Sequence, residues 1–204
     1  VKNNCTVTHK LDKNMVYQKL NKVGLMKFLP VLTFVFSLSA YAAGGVSGGG
    51  GNLISPIAPS EKQDPREIRN IIKGSKNLLQ KFVNAKYVLY TSGSMDYESL
   101  RLYSILFADN DNNLHEIMEE ISLDIPLDKP CYDSLGNIFD GSSYNQKSHS
   151  VCISAATITK KCDKSEVPLQ ATALVFHEFS EVAGLSDEDA ITLQKQVLAE
   201  LKSW

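Results

Sequence analysis

The sequence predicts an α+β domain, and three observations carry that prediction. Helical periodicity runs through residues 65–121, the texture turns β-like from Cys131 to Ile158, and two more helices close the chain. Strands confined to one stretch between helical blocks, instead of alternating with helices, suggest helices packed on a small sheet or hairpin. The composition of the 204 residues, 43% apolar and 22% charged, is that of a globular protein. It argues against wholesale disorder, collagen or a coiled coil.

The N-terminal part stands apart from this domain. Residues 28–43, FLPVLTFVFSLSAYAA, carry no charge and are too few for an easy bilayer span of ~20 residues. Lys19, Lys22 and Lys27 precede them, and Ala40-Tyr41-Ala42 closes the run with small residues. A basic region, an apolar region and an A-x-A site describe a secretory signal peptide, cleaved after Ala42. Residues 1–42 are therefore read as an upstream segment and signal, with Val1, Met15 and Met26 as candidate starts. The expected product is exported, periplasmic or extracellular, with no stable membrane insertion after cleavage. Removing six lysines and one aspartate from 21 basic and 23 acidic residues leaves 15 and 22. The overall charge of −2 thus becomes −7 in a mature chain of 162 residues, long enough to bury a core. Such an acidic domain is not expected to bind nucleic acid, which needs lysine and arginine on the phosphates.

Residues 43–60, AGGVSGGGGNLISPIAPS, hold six glycines and two prolines and read as a flexible tether. A single domain, 61–204, follows. Asp64-Pro65 supplies an N-cap and a proline at the first helical position. Ile68, Ile71, Ile72, Leu78, Leu79, Phe82 and Val83 then recur at helical spacing, predicting a helix from about 65 to 85. Tyr87–Tyr90 is a short β-prone run. Residues 95–107 and 113–121 read as helices joined by the polar Asp109–Asn112. Asp109, Asp111, Asn113 and Glu120 fall at calcium-loop positions, but Leu114 stands where that loop needs glycine. A polar turn with an Asn113 cap is preferred there.

Pro126 and Pro130 end the helical block. Leu135-Gly136-Asn137 is a plausible hairpin turn, and Val151–Ser154 a short apolar strand. Residues 168–183 form a largely apolar helix stopped by Gly184. Ser186 and the acidic residues after it open a last helix whose apolar face is Ala190, Leu193, Val197, Leu198 and Leu201. Of the four cysteines, Cys5 lies upstream of the signal. Cys131–Cys152 is the preferred disulfide, because both lie in β-prone segments, and Cys131–Cys162 is the alternative. No C-x-x-C spacing suggests zinc binding by the cysteines. His115 and His149 have no neighbours at ligand spacing.

The chemistry concentrates in His177-Glu178-Phe179-Ser180-Glu181. His177 and Glu181 are four residues apart and project from one helix face, a spacing at which two ligands can hold a metal. Glu178 stands beside them, placed to act on a water. Gly184 and Asp187 complete H-E-x-x-E-x-x-G-x-x-D. This resembles the elongated metzincin-type signature of the zincin metallopeptidases, H-E-x-x-H with a glycine turn and a third ligand. It departs from that signature at Glu181, which replaces the second histidine, and no Met-turn follows. More broadly, residues 131–198 resemble uncharacterised small exported bacterial proteins. These carry a Cys–Cys loop ahead of an H-E-x-x-H helix and an acidic closing helix.

The resemblance implies a zincin-like α+β fold, with Zn²⁺ held by His177, Glu181 and Asp187 and Glu178 as the catalytic base. It also implies a strand at the rim of the cleft that pairs with an extended peptide, for which Val151–Ser154 is the candidate. The function expected is an exported zinc-dependent peptidase acting on a peptide or protein, or a relative that has lost activity. The alternative is a non-catalytic binding or structural protein on the same scaffold. In that plainer reading Glu181 is solvated and Asp187 merely complements a helix dipole. Against it, the apolar flanks imply burial of His177 and Glu178, and buried polar groups need partners. Two carboxylate ligands would leave the metal site nearly neutral, a weaker Lewis acid than a histidine-rich one.

Overall fold

Short polar side chains that can bond the free amides of a first turn mark where five of the helices begin. The computed structural model of the chain describes residues 50–108, 113–133, 135–145 and 149–204. The expected signal peptide, the start of the expected tether and Asp109–Asn112 lie outside them. Asp64 caps α1 (Pro65–Thr91), Asp96 caps α2 (Tyr97–Leu106) and Asn113 caps α3 (Leu114–Glu120). Ser154 caps α4 (Ala155–Lys161) and Ser186 caps α6 (Asp187–Leu201). Helix α5 (Val167–Val182) starts on a proline turn without a side-chain cap.

Between α3 and α4 lie five short strands: β1 (Ser122–Asp124), β2 (Cys131–Tyr132), β3 (Ile138–Phe139), β4 (Gly141–Asn145) and β5 (Ser150–Ile153). They form a three-stranded sheet in the order β1-β5-β4 and a β2–β3 hairpin. Strand β1 runs parallel to β5 and β4 antiparallel to it, while Cys131 faces Phe139 across the hairpin. The α+β class and the hairpin about Gly136 therefore agree with the sequence reading.

Three local expectations are corrected. Tyr87–Tyr90 continues α1 as helix, because no neighbouring strand is there to reward its β propensity. Helical spacing instead lays Tyr87 and Tyr90 on the Phe107 ring, with centroids 5.2 and 5.5 Å away. Ala155–Ile158, read as β-like, begins α4, since the Ser154 hydroxyl captures the amide of Thr157. Strand β5, the candidate cleft rim, is the central strand and is paired on both sides. The outer neighbour that bears on α5 is β4.

Helix α5 is the axis of the packing. Helices α1 and α6 and strands β4 and β5 all lie against it, and every residue from Gln170 to Glu181 is buried. Phe176 meets Phe82 of α1 edge to face at 6.0 Å, and Tyr103 of α2 at 6.5 Å. Each such apolar side chain contributes roughly 1.5–3 kcal/mol by leaving water. His115 stacks on Phe107 as part of this aromatic cluster, and His149 is exposed. Among the described residues no helix is long and apolar enough to cross a membrane.

Cys131 and Cys152 form the disulfide, with Cα atoms 5.8 Å apart, and tie the hairpin to the central strand. A disulfide is compatible with export. Cys162 is a free, buried thiol. Closing a loop of 21 residues restricts the unfolded chain by about 3 kcal/mol in the chain-entropy model. Replacing Cys131 and Cys152 by alanine should therefore lower the urea-unfolding free energy by about 3 kcal/mol. A change below about 1 kcal/mol would show that the unfolded chain is not what the bond restrains.

Candidate metal centre

Helix α5 is buried all round, so the polar residues in its last turns have no route to water and must find partners inside. His177 and Glu178 are fully buried and Glu181 is 5% exposed. The helix then ends in a Schellman turn: the Leu185 amide donates to Ser180 and the Gly184 amide to Glu181. Gly184 has φ of +102°, a conformation that side chains on L-residues disfavour. This turn sends the chain back at once, so that α6 begins three residues later beside the end of α5.

The turn delivers Asp187. Capping of α6 falls to Ser186, whose hydroxyl accepts from the Asp189 amide, and Asp189 pairs with Arg101. Asp187 is thereby left to face His177. Its Oδ1 lies 3.5 Å from His177 Nε2, and Glu181 Oε2 lies 3.7 Å from the same nitrogen. One atom from each of the three residues lies within 4.8 Å of the others, so the cluster could hold a metal ion. A tetrahedral ion with bonds of ~2.0–2.1 Å keeps its ligand atoms roughly 3.3–3.4 Å apart. Asp187, half exposed, forms the side open to solvent.

The chemistry of these atoms fits a cation. Among the described residues neither ring nitrogen of His177 has a hydrogen-bond partner, and neither does Glu181 Oε2 or Glu178 Oε2. Orphaned buried acceptors cost on the order of 1–3 kcal/mol each. Without a metal, burial pushes the His177 imidazole below its ordinary value, only partly offset by the Asp187 carboxylate. Burial, and then the charge of Asp187, pushes Glu181 up to about 8. Glu178 is raised well above the usual carboxyl range by burial and by Glu181, against the pull of one backbone amide.

That amide comes from a segment the sequence reading passes over. Residues 50–57, expected as part of a flexible tether, are docked on the domain. The Gly51 amide donates to Glu178 Oε1 at 2.9 Å, and the Gly141 amide of β4 donates back to the Gly51 carbonyl. Buried Asp140, Gln170 and Gln194 bond the backbone of Leu53, Ile54 and Asn52. Buried polar residues unclaimed by the core were the available signal, and Gln170 and Gln194 sit on otherwise apolar helix faces. The structure thus brings together His177, Glu181 and Asp187, with Glu178 beside them, and adds Gly51 and Asp140 to their surroundings. Comparison with protein-family models, curated proteins and solved structures finds no match to this chain.

Two outcomes follow from this geometry. In the metal-free domain Glu178 and Glu181 keep protons that the unfolded chain gives up above about 4.5, so stability falls as pH rises. His177 opposes this only below its ordinary 6.5, where unfolding lets it take a proton. The thermal midpoint in chelator should fall with pH, most steeply from about 6.5 to about 8, and Glu181→Gln should flatten the profile. A midpoint that rises over this window would contradict the burial of the two carboxyls. Separately, Gly184→Ala should cost about 1–2 kcal/mol in urea unfolding. It should also weaken metal binding in calorimetry, by misplacing Asp187.

Proposed function

We propose that the chain is an exported zinc-dependent peptidase of zincin-like architecture. His177, Glu181 and Asp187 are the metal ligands in this reading, and Glu178 is the catalytic base. The observation that supports it is the convergence of two carboxylates on His177 Nε2, a buried nitrogen without a hydrogen-bond partner among the described residues. Three protein ligands with one side open is the arrangement of a catalytic zinc site, whereas structural sites are closed by four.

Bound there, zinc would act as a Lewis acid and lower the pKa of a coordinated water towards ~7. The chain's own contributions are then distinct. Glu178 Oε2 takes a proton and returns it to the leaving amine, while the Gly51 amide on Oε1 fixes the carboxyl's orientation. The buried walls of α5 exclude bulk water from the proton's path. The two carboxylate ligands balance the charge of a divalent ion, which favours slow turnover.

A non-catalytic binding protein on the same scaffold is favoured by one observation: a backbone amide already engages Glu178. The two readings separate in one experiment. The purified chain should bind one zinc per molecule, measured by elemental analysis, and His177→Ala should lose it. Glu178→Gln should keep the metal while hydrolysis of an unstructured protein such as casein drops by roughly 10²–10⁴-fold. Zinc bound with no hydrolysis would leave the binding protein. An absence of zinc after zinc-replete refolding would remove both the metal and the peptidase.

A further inference from the structure

Four buried polar side chains converge on the backbone of one segment. Glu178 accepts from the Gly51 amide, and Gln194 Nε2 donates to the Asn52 carbonyl at 2.8 Å. Asp140, itself paired with Lys161, accepts from the Leu53 amide. Gln170 grips Ile54 twice, accepting from its amide and donating to its carbonyl. The Gly141 amide at the start of β4 adds a main-chain bond to the Gly51 carbonyl, as a strand edge does to an added strand. These bonds read the main chain, while the Leu53 side chain is buried in the hydrophobic core and Ile54 packs against it, so this is recognition of an extended peptide with apolar residues at those two places.

Two glycine positions add a further restriction. A Cβ on Gly51 would lie 2.6 Å from Leu174 Cδ1, 2.8 Å from Glu178 Oε1 and 2.9 Å from His177 Cδ2. A Cβ on Gly50 would lie 2.1 Å from the Phe139 ring. A side chain at either position would force its neighbours to shift, so both walls favour glycine, and Gly51 lies close against the His177–Glu178 pair.

We propose that the groove lined by Asp140, Gln170, Glu178 and Gln194 is a binding site for an extended peptide with two consecutive glycines, filled in cis by Gly50–Ile54. The peptide-binding groove stands on these contacts alone; that its ligand is a substrate rests on the peptidase reading above. The covalently attached segment has a high effective concentration, so it holds the groove against free peptides until it is displaced. The resting chain is closed over its own base, and a glycine-glycine peptide is the kind of ligand it accepts once opened.

Gly51→Val in the full chain tests this, because valine unseats the segment while a peptide in trans keeps its glycines. A fluorescent peptide GGNLI, followed by anisotropy in chelator, should bind Gly51→Val at least tenfold more tightly than the unaltered chain. It should also raise the variant's thermal midpoint, and GVNLI should do neither. Leu53→Ala, which weakens the segment's own hold and leaves the groove intact, should show the same order of affinities if the valine variant folds poorly. Equal binding of GGNLI and GVNLI, or no binding to a folded variant, overturns the proposal. So does collapse of both variants without rescue by peptide, which would make the segment a core element. Peptide binding without zinc-dependent cleavage would keep the groove and sink the peptidase, and cleavage without glycine preference would do the reverse.

Discussion

Helix α5 has no solvent face, and most of the molecule is arranged around that constraint. A helix packed by α1, α6 and the sheet at once can carry apolar residues freely, yet this one carries His177, Glu178, Ser180 and Glu181 near its end. Polar groups in such a place are destabilising unless something meets them. The chain answers with Asp187 from the head of the next helix and with Gly51 from a segment far away in sequence. What remains unmet, chiefly His177 Nε2, is where a cation could be held.

The order of events in the sequence makes this possible. Gly184 turns the chain within one residue of the helix end, and Ser186 relieves Asp187 of capping duty. A longer connection would have left the acidic first turn of α6 to complement its own dipole, facing solvent. The same economy is visible at β4, where Gly141 brings the strand's backbone close against Glu178 Oε1. The carboxylate thus lies close against two glycines that are hydrogen-bonded to each other.

Legibility in the sequence followed the range of the forces involved. Helix starts at Asp64, Asn113 and Ser186 were readable because capping is settled within four residues. The Cys131–Cys152 pair and the Gly136 hairpin were readable for a similar reason. The His177–Glu181–Asp187 group was readable because a helix and a glycine turn fix the spacing locally. Tyr87–Tyr90 misled because strand propensity means little without a neighbouring strand. Val151–Ser154 misled as a rim, since strand order is a tertiary property that a single apolar run does not encode. Gly50–Ile54 was the deepest miss: glycine reads as flexibility in a sequence, yet here it answers a lack of room. Its partners Gln170 and Gln194 lie 116 and 142 residues away from the backbone they bond.

The odd cysteine carries a consequence for how the protein keeps its covalent form. A domain with one disulfide and a third cysteine is exposed to scrambling, in which a free thiolate attacks the existing bond and leaves a mispaired isomer. Cys162 is shut in the core, where burial, reinforced by Glu166 and Asp163, pushes its thiol up to about 11. At neutral pH its thiolate fraction is then on the order of 10⁻⁴, and the attacking species scarcely exists. Native pairing is therefore protected by suppressing the competitor's reactivity as well as by the bond itself, and only unfolding would release an efficient nucleophile.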